Sequence, residues 1–206
     1  MKEIRTWIWI LLFGSLWGIN EVVTGESLFR NQTFLTSIWL AAGAFFILGV
    51  ARGVVNRPGT SVVIAGIAAG FKLVNASPYF CHLLGIFLLG VAFDATASLL
   101  LKGREKAALR HSLVGVLSAY SGFALFALII TYIIRYEYWL IGGSAKVINH
   151  VFVSGSLAAT VAAFLVPLGY RLGLVGWPAL EKYPRWSFAG AAAGLILLWT
   201  LGRIMG

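Results

Sequence analysis

The sequence predicts an all-α integral membrane protein, a compact bundle of six to seven transmembrane helices in a single domain over residues 1–206. Three observations predict it. Hydrophobic residues make up 60% of the chain and charged residues 11%, with a mean hydropathy of +0.89, more apolar surface than a soluble domain of this length can hide. Long apolar runs recur from end to end. Many of the 24 glycines fall inside those runs, where they suit closely packed membrane helices.

A membrane helix needs about 20 mostly apolar residues. Seven runs meet or approach this, near 6–24, 33–51, 60–75, 79–101, 111–134, 147–170 and 186–204. The first follows a basic start, "MKEIRTWIWILLFG", as in a signal peptide. It lacks a clean small-residue cleavage site and continues through "LWGINEVV", so it reads as a retained span. The second ends beside Arg52. The third is the shortest and closes in "NASP", where Pro78 disfavours helix at Ser77; a re-entrant segment is the alternative to a full span there. The fourth follows that break directly, and the fifth follows the basic stretch "KGREKAALRH". The sixth opens with "VINHVFVSGS". The last, "FAGAAAGLILLWTLGRI", is apolar enough to cross.

The formal charge of +9 does not mark a nucleic-acid partner, because the cations lie between apolar runs and form no aromatic-interleaved basic face. They orient the bundle instead. With seven spans and a cytoplasmic N-terminus, the inner segments hold Lys2, Arg5, Arg52, Arg57, Lys102, Arg104, Lys106, Arg110, Arg171, Lys182 and Arg185. The outer segments hold only Arg30, Arg135, Lys146 and Arg203. Trp7 and Trp9 then fall at the inner interface and Trp139 at the outer one, as an aromatic belt would.

This orientation gathers polar residues at one end. Asn20 and Glu21 lie in the outer half of the first run. Lys72 and Asn75 end the third, and Cys81 and His82 start the fourth. Tyr132 ends the fifth, and Asn149 and His150 start the sixth. Each has a plain reading alone: Lys72 can snorkel, His150 can sit at the interface, and Asn75 can end its helix. Their convergence points to a ligand site, because charges in hydrocarbon are costly and turn towards an interior or wet cavity. A Glu21–Lys72 pair would neutralise both charges. Asp94 lies about 18 Å deeper than His82 at ~1.5 Å per residue. It is either a structural partner for an inner cation or a coupling residue. Gly14 and Gly18 form a small-residue seam on the first helix, a contact within the bundle or with a partner. Gly66 and Gly70, and Gly190 and Gly194, repeat the spacing.

Other chemistry is missing. Cys81 is the one cysteine, so neither an intrachain disulfide nor a CxxC site can form. There is no GxxxxGK[ST] loop and no HExxH, and no catalytic constellation stands out. Glu21, Cys81, His82 and His150 leave a metal or haem open, so the cofactor is undetermined. Two sequons, Asn31-Gln32-Thr33 and Asn75-Ala76-Ser77, read as chance matches.

The outer polar site, the small size, the lack of an ATPase motif and the Gly14-xxx-Gly18 seam resemble the substrate-binding S components of energy-coupling factor transporters. The stretch "AGIAAGFKLVNASPYFCHLLGIFLLGVAFD" is similar to sequences grouped with that family. The resemblance covers about the first hundred residues. It implies a prokaryotic cytoplasmic membrane and a subunit that captures a small molecule at the outer face. It also implies a transmembrane coupling subunit and cytoplasmic ATPases as partners beside the lipid bilayer. In that family small residues of the first helix contact the coupling subunit, which places Gly14 and Gly18 there. Two other classes remain open: a membrane-embedded metal, haem or redox protein, and a structural subunit of a larger membrane complex.

Overall fold

A computed structural model of the chain describes residues 2–30, 36–76, 78–101 and 108–206. The first sequon, Ser77 of the second, and Lys102, Arg104 and Lys106 of the basic stretch lie outside the described residues. The described chain is helical without strands. Its helices are α1 (Lys2–Ile19), α2 (Gly25–Arg30), α3 (Thr36–Val54), α4 (Thr60–Asn75), α5 (Phe80–Leu100), α6 (Ala108–Leu128), α7 (Glu137–Asn149), α8 (Gly155–Lys182) and α9 (Pro184–Met205). Three π-helical turns, Asn20–Thr24, Ile129–Ile133 and His150–Ser154, extend α1, extend α6 and join α7 to α8.

Six stretches among the described residues are long and apolar enough to cross a membrane: Thr6–Leu28, Thr36–Val54, Phe80–Leu100, Ala108–Ile133, Glu137–Gly176 and Pro184–Met205. The seventh, α4, has 16 residues, about 24 Å of helix against a hydrocarbon core of about 30 Å. It joins both ends of the bundle. Ser61 at its start bonds Asp94 of α5, and Lys72 near its end bonds Glu21 beyond α1. That path is a helix crossing the bundle, not a loop returning to the side it left.

Glycines set the closest helix approaches. A methyl group at Gly14 would meet Ile67 at 2.6 Å, and one at Gly18 would meet Phe71 at 2.5 Å. The seam is therefore an α1–α4 contact inside the bundle. Its surface is filled by α4 and is not free for another subunit, contrary to the role the resemblance implies. A tighter seam joins α3 to α8, where Gly49-xxx-Gly53 faces Gly169-xxx-Gly173. A methyl at Gly49 would lie 2.8 Å from the Val166 carbonyl, and one at Gly169 2.5 Å from that of Phe46. Backbone blocks these positions, and backbone cannot rotate away. On α4, Gly66 and Gly70 face open space. Gly18→Leu and Gly169→Ala are expected to lower the detergent unfolding midpoint, whereas Gly66→Ala leaves it unchanged or raises it, since alanine favours helix by up to about 1 kcal/mol over glycine. A drop for Gly66→Ala equal to that for Gly169→Ala would refute this assignment of seams.

The link from α3 to α4 is a turn over Arg57–Thr60, with Pro58 at its second position and Gly59 at its third. Gly59 has φ +85° and ψ −19°, the values of a type II turn, which favour glycine. Gly143 interrupts α7 at φ 53°, ψ −153°, and Arg135 before α7 is also left-handed at φ 56°. These two joints fold the segment between them back over the end of α6. Trp139, expected in the interfacial belt, is instead buried against Phe126, with ring centroids 5.1 Å apart. Lys146, counted among the cations of the outer segments, lies in α7. Its ammonium sits 3.4 Å from the centroid of the Tyr138 ring and donates to the Tyr138 carbonyl.

Candidate functional site

Helix direction alternates along the chain, so the C-terminal parts of α1, α4 and α6 meet the N-terminal parts of α3, α5 and α8. A cavity of about 500 Å³ opens where they meet. Its wall holds Glu21, Lys72, Cys81, His82 and His150, with Trp17, Tyr79, Phe123 and Phe126 as the aromatic part.

The centre of the polar wall is an ion pair. Lys72 Nζ lies 2.8 Å from Glu21 Oε2, and the two side chains are 8% and 7% exposed. The Trp17 indole donates to Glu21 Oε1 at 3.3 Å. Trp17 and Glu21 are four residues apart, so both fall on one face as α1 passes into its π-turn. Charge compensation and an indole bond hold the carboxylate in one orientation. Lys72 does not snorkel to a surface.

His150 sits in a second π-turn and is held by rings. It stacks on Phe123 with centroids 4.8 Å apart, is tilted to Phe126 at 5.4 Å, and meets the Trp139 ring edge-on at 5.1 Å. Phe123 and Phe126 are three residues apart on α6 and so share a face. His82 is exposed at the rim and meets Tyr79 edge-on, with centroids 5.8 Å apart. The third histidine, His111, is buried away from the cavity, stacked on Tyr170 at 4.0 Å.

Four of the expected residues therefore line one cavity: Glu21, Lys72, His82 and His150. The other four do not reach the wall. Asn20 accepts a bond from Thr24 and packs against Gly43 of α3. Asn75 donates to the Phe71 carbonyl and lies against Gly202 of α9. Tyr132 is 56% exposed, and Asn149 is exposed on α7. These residues lie on the elements that meet at the cavity end of the bundle, but they point elsewhere around their helices. The aromatic wall of Trp17, Tyr79, Phe123 and Phe126 is an addition. Only Trp17, spaced one helical turn before Glu21, carried a signal for it.

Asp94 belongs to a separate network at the other end of α4. Its carboxylate takes Arg52 Nη2 at 2.9 Å, the Gly59 amide at 2.8 Å and the Ser61 amide at 2.9 Å. Arg52 also donates to the Arg57 carbonyl and to the hydroxyls of Ser61 and Ser98. Asp94 thus satisfies backbone donors that the start of α4 leaves unpaired and offsets the positive end of that helix. This is a structural clamp on the α3–α4 turn, the first of the two roles open to Asp94.

Among the described residues, no group of three or more His, Cys, Asp or Glu side chains converges in a way that could hold a metal ion. The cavity wall brings two imidazoles, the Cys81 thiol, the exposed Glu26 and the Glu21 carboxylate already committed to Lys72, a set suited to hydrogen bonding and stacking. No family model, curated protein or solved structure matches this chain.

Proposed function

We propose that the protein is a membrane-embedded subunit that captures a small solute in this cavity, at the outer face, and relies on partner subunits for energy. The observation that carries the reading is the buried Lys72–Glu21 pair set in the wall of a cavity large enough for a small molecule. Ligand sites are typically cavities of roughly 300–1,000 Å³, mostly apolar, with a few placed polar groups. This one has that size and that composition. The cation asymmetry favours the cavity end outside, and the chain carries no nucleotide-binding loop of its own. Both points favour an uptake subunit of the kind the sequence resembles, the S component.

A coupling partner would need a helix face other than the filled Gly14–Gly18 seam. The open Gly66 and Gly70 positions on α4, beside the exposed Val63, Leu73 and Val74, offer one that lets backbones approach closely.

Native mass spectrometry of the protein released from mild detergent tests the proposal. A discrete additional small-molecule mass at one per chain is expected, and it should be absent from a Phe123→Trp variant that fills the cavity. Bare chain from several mild detergents, with no small-molecule adduct, would defeat the reading.

A further inference from the structure

The ion pair restricts which solutes the cavity can hold; this step rests on the small-solute reading above. Lys72 and Glu21 are already paired at 2.8 Å and shielded from water. An anion that drew Lys72 away would strand the Glu21 carboxylate. A cation that drew Glu21 away would strand the Lys72 ammonium. Either exchange leaves a charge without its partner in a poorly solvated wall. Glu26, the other charged residue on the wall, is exposed, so solvent screens it and it sets no preference deep in the cavity.

A net-neutral solute can use the pair without breaking it. The ammonium has three N–H groups, of which Glu21 takes one. The carboxylate offers about four acceptor positions, and the Lys72 ammonium and the Trp17 indole take two. Spare donor and spare acceptor therefore lie side by side. A ligand edge with an acceptor next to a donor matches them, the acceptor towards Lys72 and the donor towards Glu21. The opposite wall supplies flat partners: Phe123, Phe126 and the His150 imidazole stacked on Phe123. Ring faces favour offset or edge-on contact with other rings.

We propose that the cavity takes a net-neutral, planar heterocycle with adjacent hydrogen-bond acceptor and donor on one edge, as in a lactam or a cyclic ureide. The edge sits on the Lys72–Glu21 pair and the ring against the aromatic wall. The pair then reads a neutral hydrogen-bonding pattern and rejects net charge of either sign.

Three probes with the same fused-ring size separate the possibilities: 2-quinolone, neutral with a lactam edge; quinoline-2-carboxylate, an anion; and N-methylquinolinium, a cation. Binding to the full chain in mild detergent is measured by equilibrium dialysis, with protein-free micelles subtracted. Saturable binding of 2-quinolone is expected, at least tenfold tighter than either ion. It should weaken at least tenfold in the Glu21→Leu, Lys72→Met double variant, which leaves neither partner of the buried pair stranded, with near-unchanged far-ultraviolet dichroism showing that this variant folds. An ionic probe that binds as tightly as 2-quinolone would overturn the ligand class while leaving solute capture standing. Equal 2-quinolone binding by the folded double variant would overturn the edge assignment. Should none of the three saturate, the class is also refused, and the bound mass seen by native mass spectrometry judges the solute-capture reading separately.

Discussion

Replacing Asp94 with alanine is expected to destabilise the bundle by about 3–5 kcal/mol, the range for removing one partner of a buried ion pair. Arg52 is 1% exposed and would keep its charge with no anion beside it. The Gly59 and Ser61 amides would also lose their acceptor at the start of α4. An unmet buried donor costs about 1–3 kcal/mol, and the two amides do not simply add because water can reach the exposed turn at Gly59. Asp94→Asn should be milder, since its one carbonyl oxygen still serves a donor. Replacing Arg52 and Asp94 together with methionine and leucine should cost less than Asp94→Ala alone, because no charge is left stranded. Unfolding in a graded sodium dodecyl sulfate titration measures all of these. An Asp94→Ala midpoint within error of the parent would show that the clamp is not needed to hold the α3–α4 turn.

The sequence made the bundle legible because hydrocarbon imposes a simple rule. A segment that stays in it must be apolar for its length and satisfy its own backbone; among the described residues six segments did so, with α4 as a shorter apolar helix beside them. Depth was legible for the same reason: counting along alternating helices put Glu21, Lys72, His82 and His150 at one level, and all four line the cavity. Azimuth was not. Almost every residue of these helices is apolar on all sides, so the pattern that marks an inward face in a soluble helix is faint, and Asn20, Asn75, Tyr132 and Asn149 landed elsewhere. The π-turns add to this. Each inserts a residue and rotates the following side chains, and two of the three hold Glu21 and His150. The Gly49–Gly53 and Gly169–Gly173 seam was hidden for another reason. Small-xxx-small spacing recurs by chance in a chain with 24 glycines, and only tertiary geometry tells the filled Gly169 from the open Gly66.

The second large effect is expected at the ion pair itself. Lys72→Met leaves the Glu21 carboxylate buried with only the Trp17 indole as a partner, and Glu21→Gln leaves the Lys72 ammonium facing a neutral amide. Each single change should cost about 3 kcal/mol or more of stability, because each creates a charge that neither water nor a counter-ion offsets. The double change creates none. It should be less harmful than the sum of the singles, with a coupling energy of about 0.5–3 kcal/mol in a double-mutant cycle of detergent unfolding. Additivity within error would mean that the two groups act independently, which their 2.8 Å separation does not allow if both are ionised in the bundle. Stability and binding then part company. The double variant recovers the fold because no buried charge is left without its partner, yet it has lost the ammonium donors and the carboxylate acceptors that a ligand edge would use. A folded protein that no longer retains its solute is the outcome that a role in recognition requires and that a purely structural pair would not produce.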